Sequence, residues 1–249
     1  MNLLGVDCSG DIMSVGVGRS MDGQGTSPVT PKHPFREERG HLPAPGPGFV
    51  SVSVDAGFRH AERLMGAVDF CLAEAGLQKS DLDLFACAGG PGSFTGLRIA
   101  MASIKGMAYG LGKPFVSVPS LDALAADWEG TSPVIVPLMD AKRSRFYFGV
   151  YKSGKLVSGP HDDTLECMLA LVSPYPEVLF VGPDAEMLDA VIQDRSGFRR
   201  PEFFRRPPIN ALLALAARSF AEHGPAPADE SPNYLRASDA EEASSRKPI

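Results

Sequence analysis

The chain has 249 residues, 44% of them hydrophobic and 22% charged, which is typical of a globular protein large enough for two lobes. A net charge of −6 argues against a protein that binds nucleic acid unaided, because such binding requires lysine and arginine to neutralise phosphates. No apolar run reaches the roughly 18 residues of a membrane span, and the first residues do not resemble a signal peptide, so no membrane association and a cytoplasmic location are expected.

The first half of the chain alternates apolar strands with helices, which predicts an α/β fold. Strands are expected over residues 3–8, 12–17, 49–54, 82–88 and 115–118, and helices over 58–75, 95–111 and from Ser120 onward. Residues 21–48 interrupt this pattern with six prolines and five glycines, a composition that predicts a mobile loop.

The second half repeats the plan of the first. Strands are expected over residues 133–139, 146–151, 156–157 and 178–181, and helices over 163–172, 184–192 and 209–223. Each half begins with a strand, an aspartate (Asp7 or Asp140), a polar turn and a second strand, which indicates an internal duplication. We therefore expect two lobes of the actin and sugar-kinase class, over residues 1–112 and 113–225, with a flexible tail at 226–249.

A glycine-rich turn, GGPGSFTGLR at residues 89–98, joins a predicted strand to a predicted helix. The amide groups at such a helix start favour an anion. Two common phosphate-binding patterns nevertheless fail, because Leu97 replaces the lysine of a Walker loop and Thr95 replaces the third glycine of a dinucleotide loop. Ser93 is expected to cap the helix, with Thr95 as the competing cap, and not to act as a nucleophile.

Six short strings occur in one order along the chain: VDCS (6–9), HAERL (60–64), GPGSFTGLR (90–98), PSLDAL (119–124), DAKR (140–143) and YLR (234–236). Together they resemble the TsaB family, also called YeaZ, over about residues 7–157, and more thinly beyond. The resemblance implies a two-lobed actin-like fold and a subunit that helps to form threonylcarbamoyladenosine on tRNA. It also implies a catalytic TsaD-like paralogue and a TsaE-like ATPase as partners, with tRNA reached through the complex. The insert at 21–48 is longer than members of the family usually carry.

The resemblance also bears on metal chemistry. TsaD-like enzymes hold a metal with two histidines four residues apart on a helix, whereas this helix carries His60 and then Leu64, which cannot ligate. We therefore expect no metal site and no catalytic residue, with His60 as a hydrogen-bonding residue at a helix surface or interface. The four cysteines lack CxxC spacing and are expected to be small buried apolar residues.

Nucleotide binding stays open at this point. Asp7, Ser9, Gly10 and Asp140 lie where the actin-like class holds phosphate and magnesium, so ATP with magnesium is possible in the assembled complex. The alternative is that both aspartates only accept hydrogen bonds from turn amides. Residues 181–184 also lack the paired glycines on which TsaD-like proteins lay an adenine.

Two helices are predicted to contact a partner. The helix at 95–111 is apolar on nearly every side, and small residues recur at Ala102, Gly106 and Gly110, which favours close approach of another helix. The expected interface consists of His60, Leu64, Met65, Val68, Leu97, Arg98, Met101, Ala102, Lys105 and Gly106. The alternative is that both helices only cover their own sheet. Through the same surface, the chain alone would form a homodimer.

The favoured function is thus a non-catalytic subunit. The rival interpretations are an active actin-class ATP-dependent enzyme or a glycoprotease, and a regulatory module that recruits another molecule through the insert at 21–48.

Overall fold

A computed structural model describes residues 1–19, 49–202 and 206–236. The insert at 21–48, predicted to be a mobile loop, lies outside these residues. The first sheet contains β1 (Asn2–Asp7), β2 (Ile12–Arg19), β3 (Val50–Asp55), β4 (Leu84–Gly90) and β5 (Phe115–Pro119). Its strand order is β3-β2-β1-β4-β5, with antiparallel pairing among β1, β2 and β3 and parallel pairing of β4 with β1 and β5.

The second sheet has the same design. It contains β6 (Val134–Asp140), β7 (Arg145–Lys152), β8 (Lys155–Thr164), β9 (Val178–Val181) and β10 (Phe198–Arg199) in the order β8-β7-β6-β9-β10. β6, β7 and β8 pair antiparallel, while β9 pairs parallel with β6 and β10. Because order and direction match strand for strand, the predicted α/β fold and internal duplication are confirmed.

Helices form layers around the two sheets. On one face of the first sheet lie α1 (His60–Glu74) and α2 (Phe94–Leu111), and on its other face lie α3 (Ser120–Ala126) and α6 (Ile209–His223). The second sheet packs one face against α3 and its other face against α4 (Leu165–Val172) and α5 (Asp189–Ile192). Short 3₁₀ helices span Lys79–Asp81 and Ala185–Leu188. No helix in the described ranges is long and apolar enough to cross a membrane.

The sequence of β1 and β2 explains how α6 lies so close to the first sheet. A Cβ on Gly5 would lie 2.8 Å from Leu213, and one on Gly16 would lie 2.8 Å from Ile209. The two glycines therefore let the apolar face of α6 reach the strand backbones.

The lobes meet in an apolar cluster beneath α3. Trp128, the one tryptophan of the chain, is 1% exposed there and shares the cluster with Leu121 and Met139. The Tyr151 hydroxyl of β7 donates a hydrogen bond to Asp122 of α3. The fluorescence of Trp128 therefore reports on the packing between the lobes.

Several predicted boundaries require correction. β5 pairs with β4 and α6 packs on β1, so residues 115–119 and 209–223 lie with the first lobe and not in a lobe of 113–225. The strand β8 extends to Thr164, which shortens the helix predicted at 163–172, because the chain there pairs with β7. The helix predicted at 184–192 begins as a 3₁₀ turn. The two-residue strand β10 was not predicted.

The prediction of a flexible tail at 226–249 also requires correction for its first part. Residues 226–236 are held by backbone hydrogen bonds: the Ala226 amide donates to the Phe115 carbonyl at 2.8 Å, and the Asn233 amide donates to the Gly89 carbonyl at 2.7 Å. Composition suggested mobility, but tertiary contacts fix this segment. Residues 237–249 lie outside the described part of the chain.

Candidate functional site

The glycine-rich turn packs against the chain's own β1–β2 turn. The Ser93 amide donates to the Ser9 carbonyl at 2.7 Å, and a Cβ on Gly92 would lie 2.5 Å from that same oxygen. A Cβ on Gly96 would overlap the Cys8 carbonyl oxygen. The glycines therefore serve close backbone packing, which is a different use from cradling a phosphate.

Two amides in the first turn of α2, those of Gly96 and Leu97, donate to Ser93. Ser93 is the N-cap residue, as predicted, and its hydroxyl accepts a hydrogen bond from the Gly96 amide at 3.3 Å. The Ser93 carbonyl accepts from the Leu97 amide at 2.9 Å. An anion that used the Gly96 amide would therefore have to displace the Ser93 hydroxyl.

Asp7 and Asp140 have equivalent roles in the two lobes. Asp7 Oδ1 accepts from the Ser9 amide at 2.8 Å, and Asp140 Oδ1 accepts from the Lys142 amide at 2.7 Å. Each carboxylate thus closes the turn after its strand by bonding the amide two residues later. This geometry supports the turn-forming interpretation, and nucleotide binding by Asp7, Ser9, Gly10 and Asp140 stays a prediction.

The Asp7 carboxyl lies out of contact with water, with 2% of the residue exposed. Burial raises its pKa above the ordinary value of 3.8, although the hydrogen bonds from Ser9 lower it. A folded-state pKa above the unfolded value means that ionisation of Asp7 opposes folding. Its contribution to stability is therefore fully present below pH 3.8 and is lost as the pH rises through the raised folded pKa.

We expect Asp7→Asn to raise the free energy of unfolding at pH 7, because the amide oxygen still accepts from Ser9 while the buried charge is gone. The gain should shrink as the pH falls through the raised folded pKa of Asp7 and should be gone below pH 3.8. Denaturant titrations from pH 3 to pH 8, followed by Trp128 fluorescence, measure it, with the exposed Asp229→Asn as control. A wild-type advantage that grows with pH would contradict the expectation.

A further acidic residue, which the site prediction missed, lies beside Asp140 in the second lobe. The Asp140 amide donates to Asp184 Oδ2 at 2.8 Å, and Lys142 Nζ lies 2.8 Å from Asp140 Oδ2. Burial is the main cause that raises the pKa of Asp184, with the Asp140 carboxylate adding to it. The position of Asp184 just after β9, at the same end of the sheet as Asp140 at the end of β6, was the available signal.

His60 is buried and not on the helix surface. Its exposed fraction is 5%, and Nε2 lies 3.0 Å from the Gly10 carbonyl oxygen, so the ring holds the β1–β2 turn against α1. Within the described residues, three or more potential metal ligands do not come together anywhere. His60 therefore makes a structural hydrogen bond inside the first lobe. The predicted hydrogen-bonding role is kept, but its predicted place at a helix surface or interface is wrong.

The cysteine prediction holds for three of the four residues. Cys8, Cys71 and Cys87 are buried, and burial raises the pKa of the Cys87 thiol to about 12. Cys167 is exposed, which corrects the prediction, because it faces outward in the first turn of α4. The buried thiols stay protonated at neutral pH and behave as apolar side chains.

The predicted interface is divided by the structure into two groups. The residues that pack into the core of the first lobe are His60, Leu64, Val68, Leu97 and Met101. Those that reach the surface are Met65, Arg98, Ala102 and Gly106, while Lys105 is half-buried. For the buried group, the alternative that the helices cover their own sheet is correct. Helix α2 is not covered on every side, because Arg98, Ala102 and Gly106 are exposed along one side of it.

The open side of α1 and α2 carries exposed glycines and large apolar side chains among charged residues. Positions for a Cβ on Gly66, Gly106 and Gly110 have no heavy atom within 4 Å. Five large apolar side chains are exposed on or next to these helices, namely Phe58, Met65, Phe70, Tyr109 and Leu111. We call the exposed residues of the two helices the α1–α2 face. Such a concentration of exposed apolar groups is typical of a protein-binding surface.

Comparison with known proteins identifies the family. The chain is 32% identical over 195 residues to the tRNA threonylcarbamoyladenosine biosynthesis protein TsaB of Bacillus subtilis, which covers 73% of this chain and 82% of that protein. The chain belongs to the TsaB family. A family model described as TsaD, tRNA N6-adenosine threonylcarbamoyltransferase, also matches residues 52–244.

The solved structure of YeaZ from Pseudomonas aeruginosa confirms the TsaB fold, with a TM-score of 0.69 and 25% identity over 94% of this chain and 99% of that one. The chain is also similar to the tRNA N6-adenosine threonylcarbamoyltransferase of Maricaulis maris, with 33% identity over 140 residues, 56% of this chain and 36% of that protein. The two-lobed actin-like fold and the resemblance that the motifs suggested are therefore correct.

Proposed function

We propose that this chain is the non-catalytic subunit of a complex that forms threonylcarbamoyladenosine on tRNA, and that it binds and activates a TsaD-like catalytic paralogue. Membership of the TsaB family supports the pathway, since the Bacillus subtilis relative is named for the biosynthesis of this nucleoside. The observation that carries the non-catalytic role is that the candidate site residues are engaged in contacts within this chain. Asp7, Ser93 and His60 all hold the chain's own turns.

The α1–α2 face is the proposed binding surface for the TsaD-like subunit. Its open strip at Ala102, Gly106 and Gly110 admits a partner helix without a steric obstacle, and Met65 and Tyr109 supply apolar area beside it. Aromatic and methionine side chains are favoured at the centre of interfaces. When the partner is absent, the same face would pair two copies of this chain.

The remaining partners follow from the family resemblance. We propose that a TsaE-like ATPase joins the assembled pair, that tRNA is reached through the complex, and that any ATP and magnesium are held there and not by this chain alone. A cytoplasmic location fits these partners.

Reconstitution tests the proposal. The TsaD-like and TsaE-like proteins of the same organism are combined with tRNA, ATP and the remaining substrates of threonylcarbamoyl transfer, and the modified nucleoside is measured by mass spectrometry. We expect modification to be lost when this chain is omitted and to be kept with Asp140→Ala, since that carboxylate closes a turn in the second lobe.

The enzyme alternative predicts a different result. An actin-class phosphotransferase or a glycoprotease would hydrolyse ATP or a peptide when purified alone, and would lose that activity with Asp140→Ala. Turnover by the isolated chain with this mutational signature would overturn the non-catalytic role.

A further inference from the structure

Residues 226–236, which we call the C-terminal strap, run along the first lobe before they reach the second. The strap is fixed to β5 through Ala226, to α2 through Lys105 Nζ, which donates to the Glu230 carbonyl at 2.9 Å, and to β4 through Asn233. A Cβ on Gly90 would lie 2.5 Å from the Asn233 carbonyl oxygen, so the glycine-rich turn is shaped to accept the strap.

Aromatic and cationic groups hold the next residue of the strap. The Tyr234 ring lies 4.6 Å from the Phe94 ring, and the guanidinium carbon of Arg98 lies 3.8 Å from the Phe94 centroid. Arg98 Nε also donates to the Tyr234 hydroxyl at 2.9 Å. Stacking and a hydrogen bond together orient the strap toward the second lobe.

The strap ends in an ion pair with the second lobe. Arg236 donates from Nε to Asp162 Oδ2 at 2.8 Å and from Nη2 to Oδ1 at 2.6 Å, and from Nη1 to the Ala141 carbonyl at 2.9 Å. The two side chains are only 16% and 13% exposed. Asp162 lies on β8 and Ala141 follows β6, so this forked contact joins the lobes.

The backbone crosses between the lobes twice, after α3 and before α6, and the lobes also share the apolar cluster at Trp128. The strap provides a third crossing, which depends on charge and not on apolar packing. Asp162 Oδ1 also accepts from Arg145 Nε at 2.9 Å, so the carboxylate keeps a partner when the strap leaves. A contact of this kind can open without leaving a buried charge uncompensated.

We propose that the C-terminal strap is a releasable tie between the lobes, and that the pairing of Arg236 with Asp162 sets the angle between them. Release of Arg236 frees Tyr234 and Asn233 from the glycine-rich turn and lets the lobes rotate about the apolar cluster at Trp128.

Distance measurement between the lobes tests the tie. Cys167 is the exposed cysteine of the second lobe, and Ala73→Cys adds a second label site on the exposed side of α1. Pulsed electron double resonance between the two spin labels is recorded for the full chain, for Arg236→Ala and for Arg236→Lys. We expect Arg236→Ala to broaden or shift the distance distribution, and Arg236→Lys, which keeps the charge but lacks the fork, to give an intermediate change.

A matched control exists in the pair of Arg200 with Asp189, which is also forked but lies within the second lobe. Arg200→Ala should leave the distribution unchanged. Hydrogen exchange adds a second measurement: the Asn233 amide should exchange at least about tenfold faster in Arg236→Ala, while the Ala226 amide keeps its rate.

Two outcomes would overturn the proposal that the strap ties the lobes together. An unchanged distribution in Arg236→Ala means that the strap does not set the angle, even if Asn233 exchanges faster. Equal broadening in Arg200→Ala means that the change is a general loss of stability. A melting curve for each variant, followed by Trp128 fluorescence, establishes that the labelled chains are folded.

Discussion

Gly106→Trp is expected to abolish binding of the TsaD-like partner while the chain stays folded. Gly106 lies in the middle of the open strip on the α1–α2 face, and a Cβ there would have no heavy atom within 4 Å in the free chain. An indole there would occupy the space that the partner helix needs, so we expect the dissociation constant to rise at least about a hundredfold. Isothermal titration calorimetry with the TsaD-like subunit measures the change, and size-exclusion chromatography shows whether the complex forms.

The control places the same indole elsewhere on the first lobe. Glu222 is exposed on α6, which packs on the opposite face of the first sheet from α2. Glu222→Trp should bind the partner as the wild type does. A complex that forms normally with Gly106→Trp would show that the partner binds another surface.

Gly96→Ala should destabilise the fold strongly, by about 3 kcal/mol, although alanine is the better helix former. A Cβ at this position would overlap the Cys8 carbonyl oxygen, which is backbone and cannot move aside alone. The β1–β2 turn would have to shift, and with it the contact between Ser9 and Ser93. Denaturant unfolding followed by Trp128 fluorescence measures the loss.

Gly106→Ala, on the same helix, is the matched comparison. Its Cβ would meet open space, so the substitution should stabilise the chain by up to about 1 kcal/mol through helix propensity. The two variants make the same chemical change in opposite environments. Equal effects would mean that the approach of β1 to α2 does not determine the need for glycine at 96.

The fold could be predicted from sequence where local patterns are strong. The paired strand-aspartate-turn units at Asp7 and Asp140 indicated the duplication, and the cap at Ser93 followed from its position before an apolar helix. What sequence could not supply was long-range packing. β5 and α6 were assigned to the wrong lobe because pairing with β4 and contact with Gly5 depend on residues far away in the chain.

The candidate site shows the same limit. Helical periodicity identified α1 and α2 as apolar, but it did not separate the inner positions Leu97 and Met101 from the outer positions Ala102 and Gly106. Composition made the strap look mobile, since alanine, proline and acidic residues are common there. Its fixed points are single contacts, such as Arg236 with Asp162, that leave no periodic signal.

The position of α6 has a consequence for synthesis of the chain on the ribosome. The strands of the first sheet emerge early, yet the helix that covers Gly5 and Gly16 lies at residues 209–223 and emerges near the end. Until then, the apolar face of the nascent first lobe, including Leu84 and Val116, has no cover from α6. We expect nascent chains that stop before residue 209 to recruit chaperones, and those that include α6 to be released from them.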